Sequence, residues 1–118
     1  IDFIKPTLDI KKIYELSFLV INISIRPEGF GRTVSEALSI SCPVIAPNMG
    51  GTKEQLANFN SKLLFDINNF KSFFKALEYA INNHKKISKN ARSYVKENYS
   101  ADLMCKNTVN IYQNLINL

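Results

Sequence analysis

The sequence has few of the residue types that build metal centres, disulfide frameworks or membrane spans. Its 118 residues include two cysteines and one histidine, and they contain no run of eighteen apolar residues. Cys42 and Cys105 lie far apart, and neither belongs to a CxxC pair or has a histidine at ligand spacing. We therefore expect no structural disulfide, no bound metal and no membrane-spanning helix, and a reducing, cytoplasmic compartment. The N-terminus also lacks the charged-then-apolar plan of a signal peptide.

The charge balance selects no partner by itself. Fifteen Lys and Arg residues against ten Asp and Glu residues give a formal net charge of +5, which suits nucleic acid, an anionic membrane or a phosphorylated ligand. Much of the surplus is spread along predicted helices of the second half, a pattern more typical of a solvated face, although a peripheral membrane contact stays open. The basic stretch "HKKISKNARSYVK" is too diffuse for a basic and aromatic patch, so we expect no nucleic-acid partner.

Strand-like and helix-like patterns alternate along residues 1–66. The run "IDFI" predicts a strand, and because Ile1 lies inside it, we expect Ile1 to be a cut rather than a natural start. "FLVINIS" is apolar at nearly every position, which predicts a strand covered on both faces. Two more short strands are predicted in "PVIAP" and "KLLF", and the helices between the runs are predicted in "LDIKKIYELS", "RTVSEALSI" and "GGTKEQLAN".

Residues 67–118 read as a helical tail. The segment "INNFKSFFKALEYAINN" predicts an amphipathic helix that packs on the sheet through Phe70, Phe73, Phe74, Leu77 and Ile81. A charged helix follows, and Ser100 is the predicted N-cap of a last one. The apolar side of that last helix would be Leu103, Met104, Val109, Ile111, Tyr112, Leu115 and Ile116. The alternation predicts an α/β fold, a Rossmann-like parallel sheet with flanking helices, followed by C-terminal helices.

Two glycine-bearing loops are predicted at the carboxyl edge of the sheet, where such folds bind ligands. They are Glu28 to Gly31 and Asn48 to Gly51. Backbone N–H groups from about Gly31 to Val34 would form the first turn of a helix, which attracts an anion such as phosphate. Glu36 points back toward this edge, where its carboxylate suits the two vicinal hydroxyls of a ribose. Glu28 could bind a second polyol, so the residues indicate a nucleotide sugar as ligand.

The stretch "PEGFGRTVSEALSISCPVIAPNMGGTKEQL" resembles the signature of retaining GT-B glycosyltransferases of glycosyltransferase family 4. The shared features are Glu28 and Glu36 in a Glu-x7-Glu motif, the strand Pro43 to Ala46, and the loop Gly50 to Glu54, and the resemblance covers residues 3–66. Ser41, Cys42, Phe18 and Ser61 depart from the usual pattern. The resemblance implies that no metal and no cofactor is needed. The substrate would be a nucleotide sugar, UDP- or GDP-linked.

The resemblance implies roles for individual residues. Glu28 would be the catalytic residue, holding donor-sugar hydroxyls together with backbone groups of Gly29, Phe30 and Gly31. Glu36 would hold the ribose. The other donor-binding residues would be Arg32, Thr33 and Val34, which present the N-terminus of their helix to the diphosphate. Gly50 and Gly51 would let the second loop approach the donor closely. Front-side transfer with retention would leave Glu28 to orient the sugar and stabilise charge.

The resemblance also implies what surrounds this chain. A full enzyme would be a hexosyltransferase-type protein with two Rossmann-like domains, of which residues 1–118 would hold the second half of the C-terminal one. Its partners would be a nucleotide-sugar donor, a glycan or lipid-linked acceptor, and the N-terminal GT-B domain. We expect the full enzyme to act in cell-envelope polysaccharide synthesis, in the cytoplasm or at the inner face of the cytoplasmic membrane. We expect the isolated chain to transfer no sugar. The alternative is a non-catalytic nucleotide-sugar-binding module or a remnant of a split gene.

The remaining candidates are expected to be structural. His84 stands alone between two predicted helices and is expected to be an exposed or capping residue. Cys42 precedes a buried strand and is expected in or near the core. Tyr79, Tyr94, Tyr99 and Tyr112 follow helical spacing and are expected to pack rather than to stack on a base.

Overall fold

A computed structural model describes residues 1–117. These residues form a three-stranded parallel sheet flanked by helices. The predicted α/β fold class is therefore confirmed. In chain order the elements are α1 (Ile10–Leu16), β1 (Val20–Ile21), α2 (Arg32–Ser39), β2 (Val44–Pro47), α3 (Gly50–Asn60), a 3-10 helix (Ser61–Leu63), β3 (Leu64–Phe65), α4 (Phe70–Asn82), α5 (His84–Tyr99) and α6 (Ala101–Ile116). All three strands precede residue 66, and residues 70–116 form α4, α5 and α6, with Asn83 and Ser100 between them.

The central strand, β2, is buried at all four positions. It pairs with β1 through Val20 opposite Val44 and with β3 through Ala46 opposite Leu64. A short apolar strand with a neighbour on both sides is the pattern expected in the middle of a parallel sheet. The core lies between this strand and the helices around it, chiefly α2 and α3, whose Val34, Ala37, Leu38 and Leu56 are fully buried.

Of two strand predictions at the N-terminal side, one was wrong and the other was wrong in its extent. Residues 1–9 form neither helix nor strand, so the strand predicted in "IDFI" is absent from this described segment. "FLVINIS" forms a strand of two residues, and it is not covered on both faces, since Ile21 is 42% exposed and Ile23 is 69% exposed. The physical reason is that, among residues 1–117, β1 pairs with β2 alone and lies at the edge of the sheet.

Helix α4 packs through only part of its predicted apolar side, since Phe73 and Leu77 are partly buried against the core. In α4 the buried positions are Ala76 and Ala80, whereas Phe70 and Phe74 are 82% and 60% exposed. Alanines let the α4 backbone approach the sheet closely, and the larger rings are left at the margin of the contact. Ser100 caps α6 as predicted, since its Oγ accepts the Leu103 N–H at 3.3 Å. None of the described side chains of α6 is buried, and its predicted apolar side is exposed apart from the half-buried Leu103.

Ser41, one departure from the signature described above, adopts the backbone conformation that a glycine would adopt there. Its φ of 64° lies in the left-handed region, where glycine is favoured. Ser41 N–H donates to the Leu38 carbonyl at 2.9 Å and Cys42 N–H donates to the Ala37 carbonyl at 3.0 Å. These two hydrogen bonds form the Schellman ending of α2, which requires a left-handed residue at this position. The helix therefore ends in the usual geometry although a serine occupies the place of glycine.

His84 and Cys42 lie away from the carboxyl edge of the sheet. The His84 ring stacks on Phe18 with centroids 4.0 Å apart, and its Nε2 lies 2.7 Å from the Phe18 carbonyl oxygen. Phe18 precedes β1, so this contact lies at the amino edge. Cys42 is buried as predicted, and burial raises the pKa of its thiol. The predicted packing role holds for Tyr79, Tyr94 and Tyr99, which lie against the core, but not for Tyr112, which is 62% exposed.

Candidate functional site

Two loops meet at the carboxyl edge of the sheet, as predicted. The first loop, residues 22–31, follows β1, and the second, Asn48 and Met49, follows β2 and leads into Gly50 and Gly51. Gly51 N–H donates to the Glu28 carbonyl across the junction, with 2.8 Å between nitrogen and oxygen. Parallel strands place these loops on one side of the sheet. The backbone of Glu28 is therefore held against the first turn of α3.

Three of the four glycines are required by this close approach. A Cβ on Gly51 would overlap the Phe30 carbonyl group, and one on Gly50 would lie 2.6 Å from the Glu28 carbonyl oxygen. Gly31 has a φ of 78°, and a Cβ there would lie 2.8 Å from Thr52 Cγ2. Gly29 is different, since a Cβ there would meet nothing within 4 Å. The close approach expected of Gly50 and Gly51 is present, and any contact with a ligand stays a prediction.

Two side chains that follow β1 hold the carboxylate of Glu28. Asn22 Nδ2 donates to Glu28 Oε1 at 3.0 Å, and Ser24 Oγ donates to the same oxygen. Asn22 is buried, and its Oδ1 accepts the Ser24 N–H at 2.9 Å. Both donors thus converge on Oε1, and among residues 1–117 no group donates to Oε2. This arrangement orients the carboxylate and leaves one oxygen for a ligand.

These hydrogen bonds also lower the pKa of Glu28. The hydrogen bond from Ser24 is the larger cause and that from Asn22 the second, because both stabilise the ionised carboxylate. A carboxyl group with a lowered pKa in the folded state stabilises the fold at neutral pH. That contribution is lost as the pH falls through the lowered pKa. Glu28 is therefore ionised at neutral pH.

We predict that Ser24→Ala raises the pKa of Glu28 toward its ordinary value. Removal of the hydroxyl takes away the main donor to the ionised form, so the acid titration of this carboxyl moves to higher pH. Carbon-detected NMR titration of the Glu28 side chain in both chains measures the shift. Ser93→Ala, on the exposed side of α5, is the matched control and should leave the titration unchanged. An identical Glu28 titration in Ser24→Ala would show that the hydroxyl does not set this pKa.

Glu36 is held from two sides at the second turn of α2. Arg32 Nη2 lies 2.9 Å from Oε1, and the Tyr14 hydroxyl donates to Oε2 at 3.3 Å. Tyr14 is the buried residue of α1, and burial first, then the charge of Glu36, raises the pKa of its hydroxyl. Glu36 remains 34% exposed. It borders a groove of about 630 Å³ between α1, α2 and α5, together with Tyr14, Ile40, Arg92, Val95 and Lys96.

The first turn of α2 offers fewer free N–H groups than predicted. Val34 N–H donates to the Gly31 carbonyl at 3.0 Å, and the Val34 side chain is fully buried. Among residues 1–117, the N–H groups of Gly31, Arg32 and Thr33 donate to no backbone carbonyl. Arg32 is exposed and forms the ion pair with Glu36 described above. The N–H donors available to an anion are therefore those before Val34.

Four residues of this site were not predicted from the sequence: Asn22, Ser24, Tyr14 and Gln55. Asn22 and Ser24 are the polar residues of the stretch "VINIS", and that interruption of an apolar run was a usable signal. Tyr14 lies in the predicted helix "LDIKKIYELS", and a tyrosine hydroxyl needs a partner when it is buried. Gln55 is buried in α3, where its Nε2 donates to the Phe30 carbonyl. Its position in α3 carried no signal.

Comparison with known proteins decides the family. The model of the family described as "Glycosyl transferases group 1" matches residues 1–98. The chain belongs to this family. Among solved structures, this group 1 glycosyltransferase chain is similar to a glycosyltransferase from Rickettsia africae ESF-5, with 32% sequence identity and a TM-score of 0.81. The similarity covers 93% of this chain and 30% of that one, so the chain spans less than a third of the length of the structure it matches. No curated protein matches the chain.

Residues 1–117 offer no candidate membrane span and no candidate metal site. No helix in this part of the chain is long and apolar enough to cross a membrane. No three His, Cys, Asp or Glu side chains of the same residues come together as a group that could hold a metal ion.

Proposed function

We propose that this chain is the nucleotide-sugar-binding part of a retaining GT-B glycosyltransferase of glycosyltransferase family 4. The observation that carries the proposal is the pair of carboxylates, Glu28 in the loop after β1 and Glu36 in the second turn of α2, each oriented by two neighbouring side chains. Family membership supports sugar transfer in general. The spacing and the support of these two carboxylates are the grounds for assigning them to the two polyol parts of one donor.

Glu36 is proposed to bind the donor ribose. Its carboxylate accepts hydrogen bonds, it is partly exposed, and it borders the groove beside α1. The ribose hydroxyls would donate hydrogen bonds to this carboxylate, either in place of Arg32 and Tyr14 or in addition to them. Arg32 is exposed and could turn toward a phosphate, since its guanidinium binds phosphate oxygens in bidentate fashion. The free N–H groups before Val34 would bind the diphosphate.

Glu28 is proposed as the catalytic residue that contacts the donor sugar. Because Asn22 and Ser24 occupy Oε1, the free Oε2 would accept a sugar hydroxyl while the ionised carboxylate stabilises positive charge that develops at the anomeric carbon. In front-side transfer the bond from the anomeric carbon to the diphosphate oxygen breaks while the acceptor oxygen attacks from the same face. The leaving diphosphate takes the acceptor proton. Glu28 forms no covalent bond in this scheme and acts through orientation and charge.

The rest of the active site is proposed to lie outside this chain. The match to the Rickettsia africae glycosyltransferase covers 30% of that protein, and we propose that the acceptor site and the basic residues that clamp the diphosphate belong to the remaining part. We accordingly propose a hexosyltransferase that uses a UDP- or GDP-linked sugar without a metal, acts on a glycan or lipid-linked acceptor in cell-envelope synthesis, and is cytoplasmic. The isolated chain is expected to transfer no sugar.

A binding experiment tests the two carboxylate roles. Ligand-observed NMR would titrate UDP-glucose, GDP-mannose, UDP and GDP onto the chain and onto Glu36→Ala and Glu28→Ala. We expect Glu36→Ala to weaken binding of every nucleotide about tenfold or more, since a hydrogen bond to a charged group contributes about 1.5–3 kcal/mol. Glu28→Ala should weaken binding of the nucleotide sugars and leave UDP and GDP unchanged.

Glu78→Ala is the matched control, because Glu78 is an exposed carboxylate on α4. It should bind every ligand as the unchanged chain does. Equal weakening of UDP and UDP-glucose by Glu28→Ala would contradict the assignment of Glu28 to the sugar. A folded chain that binds none of the four ligands would contradict a donor site within these residues. Sugar transfer by a longer protein that contains this chain separates the enzyme from the non-catalytic binding module.

A further inference from the structure

Gln55 connects α3 to the backbone of the first loop. It is 1% exposed, its Nε2 donates to the Phe30 carbonyl, and the same nitrogen lies 3.3 Å from the Gly31 carbonyl oxygen. The Tyr94 hydroxyl donates to the Gln55 backbone carbonyl at 2.7 Å, which fixes this part of α3 against α5. The side-chain oxygen, Oε1, is buried and has no hydrogen-bond partner among residues 1–117. An aliphatic residue would avoid that unpaired oxygen, so the amide nitrogen is the part of the side chain that needs an explanation.

The bond from Gln55 determines which way one peptide group faces. In a trans peptide the carbonyl and the following N–H point in opposite directions, and residues 1–117 contain no cis peptide. The Phe30 carbonyl is directed at Gln55 and at the backbone of Gly51. The N–H of Gly31 in the same peptide group therefore points away from α3. Gly31 is left-handed and is followed by the first helical residue, Arg32, an arrangement in which successive N–H groups form a concave anion-binding nest.

We propose that Gln55 is a positioning residue for the donor diphosphate. It holds the Phe30–Gly31 peptide in the orientation that presents the Gly31 N–H, together with that of Arg32, to the phosphate oxygens. The inference rests on the proposed function, since it concerns the same donor site. Gln55 does not itself touch the donor, and this role accounts for the presence of an amide at position 55.

The opposite orientation of this peptide would work against binding. Rotation by half a turn would place the Phe30 carbonyl oxygen, the negative end of the peptide dipole, where the diphosphate lies. Gly31 has no side chain to oppose such a rotation. A buried carbonyl without a partner is costly, so loss of the Gln55 donor favours the rotated state, in which the carbonyl reaches solvent. The amide of Gln55 therefore selects between two accessible orientations.

Gln55→Met tests the proposal, because methionine has a similar length and no donor. Affinities for UDP, GDP, uridine and guanosine would be measured by ligand-observed NMR for the chain, for Gln55→Met, and for Gln113→Met as the matched control in the exposed part of α6. We expect Gln55→Met to bind UDP and GDP about tenfold or more weakly, the scale of one lost hydrogen bond to a charged group. Uridine and guanosine affinities should be unchanged in both variants.

A second measurement uses the unchanged chain and does not depend on how a variant folds. Addition of UDP should shift the Gly31 amide proton strongly downfield, as a hydrogen bond to phosphate does. UDP binding that leaves the Gly31 amide unshifted would overturn the proposal, as would equal loss of UDP and uridine affinity in Gln55→Met. If the unchanged chain binds UDP no better than uridine, the diphosphate site of the proposed function fails as well. A preference for UDP that Gln55→Met retains in full removes the role of Gln55 alone.

Discussion

Gly51→Ala is expected to lower the free energy of unfolding by about 1–3 kcal/mol, the usual effect of forcing a methyl group into a packed site. The new Cβ would overlap the Phe30 carbonyl and lie 2.6 Å from Phe30 Cα, both of them backbone atoms that no side-chain rotation can move aside. Alanine favours a helix over glycine by up to about 1 kcal/mol, which offsets part of the loss. The net result is a first loop displaced from α3 and a weaker hydrogen bond between Gly51 N–H and the Glu28 carbonyl.

Chemical denaturation followed by circular dichroism measures this effect, and amide NMR shifts of residues 22–31 report the displacement of the loop. Gly29→Ala is the matched control for stability, since a Cβ at Gly29 meets nothing within 4 Å. Its free energy of unfolding should stay within about 0.5 kcal/mol of the unchanged chain. Equal stability of Gly51→Ala and Gly29→Ala would contradict the tight junction between the two loops.

Leu56→Ala is expected to lower the free energy of unfolding by about 2–5 kcal/mol, the range for removing a large aliphatic side chain from a core. Leu56 lies on α3, is fully buried, and belongs to the cluster that includes the central strand β2. The smaller side chain leaves a cavity that rigid strand and helix backbones cannot close. Because α3 also carries Gly51 and Gln55, loosening this helix should displace both contacts to the first loop.

Leu115→Ala makes the same substitution on α6, where the leucine is 60% exposed. We expect a change within about 0.5 kcal/mol, since little apolar surface is removed from contact. Denaturant unfolding of the two variants under the same conditions measures the difference. A comparable loss in Leu115→Ala would mean that α6 is buried by a contact, such as self-association, that these residues alone do not form.

Local sequence patterns were sufficient for the helices and for the central strand. "PVIAP" predicted β2 because three small or branched apolar residues between prolines leave few other structures open, and Ser100 predicted the start of α6 because its hydroxyl caps the helix locally. The prediction for "FLVINIS" failed in extent. An apolar run indicates that its residues can be buried. Whether both faces of the strand are covered depends on which strands and helices lie next to it, and the run itself does not determine that. The same limit explains why α4 buries alanines and leaves Phe70 exposed.

The sequence by itself determined the positions of Glu28 and Glu36 around the start of α2, because an eight-residue spacing across a glycine loop and a helix is a local property. It also determined which loops lie at the carboxyl edge, since the parallel direction of the strands follows from the alternation of strands and helices. The tertiary structure alone decided which side chains beyond the i,i+4 neighbours hold those carboxylates. Asn22 reaches Glu28 across the loop, and Tyr14 reaches Glu36 from a different helix. Gln55 lies 25 residues from the carbonyl that it binds. Such contacts depend on how helices pack against the sheet, and packing is a property of the whole folded chain.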